Sequence, residues 1–124
     1  MIFRQLARRL FGLGMLTALP KSAVAQAFDG STPVTLTGIV TTVEWTTPRA
    51  HAGIDVTDAA GTTANWVLEL GIPKVLVTHH GWTRTLLTLG DQVTVHGWPA
   101  RDGRKHLTAR SITLMNGQEF FAGA

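Results

Sequence analysis

Five histidines carry most of the chemistry this chain offers. His79 and His80 stand together in THHGWTR, Thr78 to Arg84, while His51, His96 and His106 lie singly in β-rich stretches. Imidazole is a common ligand for zinc and copper and titrates near neutral pH. A zinc site needs three or four ligands at one point. Adjacent residues on a helix point about 100° apart, so His79 and His80 cannot easily share one ion, whereas i, i+4 spacing could. A histidine in the last helical turn interacts favourably with the exposed carbonyls and the dipole. The pair is therefore expected to close a helix. Alternation places His51 opposite Ile54 and Val56, and His96 with Thr94 and Trp98, away from Val93 and Val95. His51, His96 and His106 are expected to be solvated and outward. The leading expectation is no cofactor. The alternative is copper or zinc held by some of His51, His79, His80, His96 and His106.

Other reactive groups are sparse. There is no cysteine, which excludes disulfides, thiolate metal sites and a cysteine nucleophile. No G-x-S-x-G elbow occurs, and the one serine in a mature strand is Ser111, beside Arg110. Glu44 and Glu69 fall in strands, Asp55 and Asp58 near a hairpin, and no spacing pairs them. Catalysis is not expected.

The elements that position these residues begin after a leader. Arg4, Arg8 and Arg9 precede a short apolar run, Leu10 to Leu19, and Ala23-Val24-Ala25 forms an A-x-A cleavage site. This is the pattern of a secretory signal peptide, residues 1–25, with cleavage after Ala25. Four of the eleven Lys and Arg lie in it and none of the eight acids does. The mature chain keeps seven bases against eight acids, which argues against nucleic acid or anionic lipid as partner. No later run is long enough to span a membrane. Localisation is expected to be periplasmic or secreted.

Residues 26–124 read as one domain: a lead-in over 26–33, then strands over Val34–Trp45, Ala50–Thr57 and Asn65–Leu70. A short helix follows over Ile72–His80, then strands over Gln92–Trp98 and Lys105–Leu114, with a tail over 115–124. Pro73 suits a first helical turn and Gly81 a C′ position. The apolar parity of the first strand changes at Gly38, which suggests a bulge or sharp coil there. Trp45, Trp66 and Trp82 are expected in the core or plugging the barrel, and Trp98 exposed. Three strands, a helix and two strands predict an all-β fold, a five-stranded OB-fold-like Greek-key barrel with the helix between strands 3 and 4.

The runs PVTLTGIVTTVEWTTPRAH, DVTDAAGTTANWVLELG, GWTRTLLTLGDQVTVHGWPARDG and ARSITL, with the closing NGQEFFAG, resemble a family of small exported bacterial proteins known as a domain of unknown function. The resemblance covers Phe28 to Gly123 and implies an OB-like domain. It brings no activity. Members of that family show an HH pair soon after the cleavage site and an NPH motif after the first strand, both natural metal-ligand candidates. Here only Gln26-Ala27 precede Phe28, and the NPH position reads Thr47-Pro48-Arg49, with His51 two residues on.

OB-folds place ligands at the loop between strands 1 and 2, which holds Arg49 and His51. The expected function is that of an exported non-catalytic OB-type binding module for a small molecule, a saccharide or a periplasmic protein. Its candidate ligand-binding residues are Arg49, His51, His96 and Trp98. The alternative is a histidine-based copper- or zinc-binding periplasmic protein.

Overall fold

The computed structural model describes residues 27–123. The signal peptide and its cleavage site lie outside the described residues. Six strands and one helix follow in the order β1 (Val34–Glu44), β2 (His51–Thr57), β3 (Thr63–Glu69), α1 (Pro73–His80), β4 (Gln92–Pro99), β5 (His106–Leu114) and β6 (Glu119–Phe121). Strands β3-β2-β1-β4-β5-β6 neighbour one another in that order, and a parallel β3–β5 pairing joins the two ends. The first five strands thus close into the Greek-key barrel expected of an OB-fold.

β1 makes closure possible. Its first half, Val34 to Ile39, pairs with β4, and its second half, Ile39 to Glu44, pairs with β2. One strand therefore serves both sides of the barrel, which requires a strong coil. Gly38 permits it, because a Cβ there would sit 2.5 Å from the Asp55 carbonyl oxygen. The change of face, however, does not fall at Gly38. Leu36, Gly38 and Val40 all turn inwards, Val40 being 1 % exposed and Ile39 41 %. The register slips between Val40 and Thr42, so Thr41 is the extra residue, and Val43 and Trp45 then pack inwards. Two adjacent apolar residues, Ile39 and Val40, left that position ambiguous in the sequence.

The core is built from alternating positions: Val40, Ile54, Leu68, Val95, Leu107 and Ile112 are all buried. The helix plugs one end. Pro73 starts it, Leu76 is its buried residue, and Gly81 ends it in the left-handed region at φ 77°. The Trp82 N–H reaches back to the Leu76 carbonyl at 3.0 Å. The Trp82 indole is 2 % exposed, donates to the Phe121 carbonyl at 2.8 Å and meets Trp45 edge-on at 6.2 Å.

Both chain ends contribute more than a lead-in and a tail. Phe28 is buried and bridges to Ala100. Glu119–Phe121 forms β6 against β5, and Ala122 is fully buried, its N–H on the Arg110 carbonyl. A three-residue strand flanked by glycines gives too little alternation to be read in advance.

Candidate functional site

Register brings together residues far apart in sequence. Glu44 of β1 lies opposite His51 of β2, and His51 lies opposite Glu69 of β3. Glu69 is opposite Thr108 of β5, and Thr108 is opposite Trp98 of β4. Directly opposed residues share a face of a sheet. The five therefore form a belt around the outside of the barrel, none of them buried.

At its centre one carboxylate serves two histidines. His51 Nε2 is 2.7 Å from Glu69 Oε1, and His106 Nε2 is 3.8 Å from Glu69 Oε2. Side-chain exposure is 33 % for His51, 15 % for Glu69 and 20 % for His106. His106 Nε2 is itself buried and lacks a hydrogen bond among the described residues. The His106 ring stands edge-on to Phe28 at 5.2 Å. Burial pushes the His106 imidazole below the ordinary histidine range, against the opposing pull of Glu69. These strand histidines are thus half-buried and engaged, not solvated.

Two loops flank the cluster. In the β1–β2 loop the Thr47–Pro48 peptide is cis, and the Thr46 hydroxyl donates to the Arg49 carbonyl at 2.7 Å and lies 3.4 Å from His51 Nδ1. Arg49 is half-buried, and no hydrogen bond, ion pair or ring contact engages its side chain among the described residues. The β4–β5 loop carries Arg101, Arg104 and Lys105. Asp102 accepts the Arg104 backbone N–H at 3.0 Å and its Nε at 2.7 Å, which holds the Asp102 carboxyl below the usual carboxylate range. Lys105 Nζ lies 5.8 Å over the Trp66 ring. Four of the seven bases of the described chain stand in these two loops.

The remaining candidates are elsewhere. His96 pairs across β1 with Thr35, its Nδ1 2.9 Å from the Thr35 hydroxyl. No hydrogen bond or ion pair links His96 to His51, Glu69 or His106 among the described residues. His79 and His80 occupy the last turn of α1, and the His80 ring lies 6.5 Å from Phe121. They hold the last-turn position expected of them, near the terminal carbonyls, with Gly81 as the cap. Among the described residues no group of three or more His, Asp or Glu is placed to hold a metal ion. A separate open groove of about 540 Å³ runs between Thr41–Glu44 and Arg84–Leu89. Arg84 caps it by lying 5.5 Å over Trp45 while accepting the Trp45 indole N–H on its carbonyl.

Glu69 was missed by sequence reasoning because strand carboxylates usually face solvent alone. The available signal was its place in NWVLELG, at the end of a strand and next to a helix.

Residues 14–109 match the family of unknown function DUF6152. The chain belongs to that family. The match includes the whole belt and both flanking loops, and ends at Ala109, before β6. No curated protein matches the chain. No helix among the described residues is long and apolar enough to cross a membrane.

Proposed function

We propose that this DUF6152 protein is an exported, non-catalytic OB-type binding module. Its ligand, a small molecule, a saccharide or a partner protein, docks on the belt beside the β1–β2 and β4–β5 loops. The observation that carries the reading is that Glu69 gathers His51 and His106 beside the loop that holds Arg49, on the belt that also holds Trp98. OB-folds bind ligands on this part of the barrel. The sequence motifs noted above supply the case for export: a basic n-region, a short apolar run and an A-x-A site. The cellular protein is accordingly expected to begin at Gln26, and an intact Met1 end in N-terminal sequencing would refute export.

Catalysis has no place in this reading, because the sequence holds no cysteine nucleophile and no G-x-S-x-G elbow. Nucleic acid is not its partner, since the mature chain holds one more acid than base. A thermal-unfolding screen against saccharides and small acids tests the binding role. A ligand at 100 times its Kd stabilises by roughly 2.7 kcal/mol, which is several degrees for a domain this small. A shift in the wild type that vanishes in the Arg49→Gln/His51→Gln double variant supports the belt. A shift equal in both places the binding elsewhere.

A further inference from the structure

We propose that the groove beside the second half of β1 takes an extended peptide segment of a partner protein, which adds to the barrel as one more strand. The segment is apolar on its inward side and carries a base opposite Glu44. This site stands apart from the belt and shares only Glu44 with it.

The first observation is an open strand edge. β1 has partners on both sides only as far as Val40. Its last partner in β4 is Gln92, opposite Ile39. The Val40 N–H then donates to the Asp91 carbonyl, and the Gly90 N–H to the Val40 carbonyl, each at 2.8 Å. Beyond the slip at Thr41, β1 keeps β2 alone, with Thr42, Val43 and Glu44 opposite Gly53, Ala52 and His51. Main-chain groups of successive strand residues point to opposite edges. Ala50 bonds to Gly71 and Leu70 on the β3 side, so Ala52 also faces β3, while His51 and Gly53 face β1. Thr42 and Glu44 therefore bond to β2. Val43 turns its N–H and carbonyl to the groove, as Trp45 does two residues on. No hydrogen bond engages either main chain on that side among the described residues. Such a row is a template for another strand, and in strand-addition complexes the main-chain bonds supply the affinity.

The second is the lining. The chain from Arg84 to Leu89 stands off from this edge and leaves an open space of about 540 Å³. Val43, Leu87 and the largely exposed Leu89 give it apolar surface beside four threonines. A strand laid on β1 repeats its alternation. Side chains opposite Val43 and Trp45 share their inward, apolar face, and the side chain opposite Glu44 faces outward. A sugar ring has no platform here, because the Trp45 indole has Arg84 over it at 5.5 Å and Trp82 edge-on.

The third is charge. Glu44 is exposed, and its carboxylate has no hydrogen bond or ion pair among the described residues. Its cross-strand neighbour His51 is paired through Nε2 with Glu69. Arg84, the base that lines the groove, lies over Trp45. The acid at the end of the open edge is thus left unpaired. A lysine or arginine directly across from it on an added strand makes a favourable opposite-charge pair.

The test is titration of the ¹⁵N-labelled protein with the peptide acetyl-TVKVT-amide, whose residue order is the same in both directions. Its lysine meets Glu44, and its valines meet Val43 and Trp45. The expected result is saturable amide shifts centred on Val43, Trp45, Thr85 and Thr88. Methylating both valine nitrogens of the peptide removes the donors that face β1 and is expected to weaken binding at least about tenfold. Glu44→Lys is expected to reverse the preference, so that acetyl-TVEVT-amide binds roughly threefold more tightly than acetyl-TVKVT-amide. Thermal unfolding verifies that this variant is folded. Equal binding of the methylated peptide overturns strand addition, and an unchanged preference in Glu44→Lys overturns the assigned base. Shifts centred on His51, Glu69 and Trp98 overturn the groove as the site while leaving the belt reading intact. No saturable shift at millimolar peptide overturns the proposal. Self-association of the free protein in sedimentation, without peptide binding, gives the edge to a second copy and overturns it as well.

Discussion

Glu69 is the residue on which the site turns, and its removal has two opposite effects. Glu69→Gln deletes the His51 ion pair, which is partly exposed and contributes about 0–1 kcal/mol, so the fold survives. It also removes the pull that holds the His106 imidazole up against burial. The His106 ring is therefore expected to titrate lower in Glu69→Gln than in the wild type, read by NMR of the ring protons. An unchanged or raised value contradicts the shared carboxylate. The His106 shift also fixes a sign for stability. Burial depresses the folded-state value below that of an unfolded chain, about 6.5. The unfolded chain then binds the proton more readily, so stability is full above that pH and is lost as pH falls through the folded value. His106→Leu is expected to flatten the acid limb of stability against pH, measured as the denaturant midpoint between about pH 7 and about pH 5. A limb as steep as in the wild type would mean that another group sets it.

The elements were largely legible because each carried a strong local signal. Alternation marked β1 to β5, and Pro73 and Gly81 bracketed α1. What was not legible depended on contacts across the sheet. The slip at Thr41 follows from pairing of β2 with β1, which no window of β1 alone contains. β6 exists because Phe121 and Ala122 meet β5 and Trp82, and three residues have no period to read. Gly38 can be tested at this scale. Gly38→Ala drives a methyl into the Asp55 carbonyl region and is expected to destabilise by about 1–3 kcal/mol, seen in the urea midpoint. A change below about 0.5 kcal/mol would mean that β1 coils without that close approach. Leu76→Ala removes the buried anchor of α1 and is expected to cost about 2–5 kcal/mol. Substituting His79 and His80 together, by contrast, loses the helix-end interaction, about 0.3–1 kcal/mol each, and the approach of the His80 ring to Phe121.

At the scale of the whole molecule, barrel closure creates the site. His51, Glu69 and His106 are separated by long stretches of sequence and meet only because β3 pairs with β2 on one side and β5 on the other. The sequence could nominate Arg49, His51 and Trp98 from their loop and strand positions. It could not pair Glu69 with two histidines, nor separate His96 from them, because both facts are matters of register. The same closure sets Trp98 in line with His51 and leaves the His79/His80 helix end and the Arg84 groove outside the belt. The most direct test of the account is therefore where a ligand lands. Backbone amide shifts of the ¹⁵N-labelled protein should be mapped during titration with a saccharide or small acid that raises the unfolding temperature in the thermal screen. The account predicts saturable shifts centred on Glu44, Arg49, His51, Glu69, Thr108 and Trp98. Shifts centred on His79 and His80, or on the groove between Thr42 and Thr88, would contradict it.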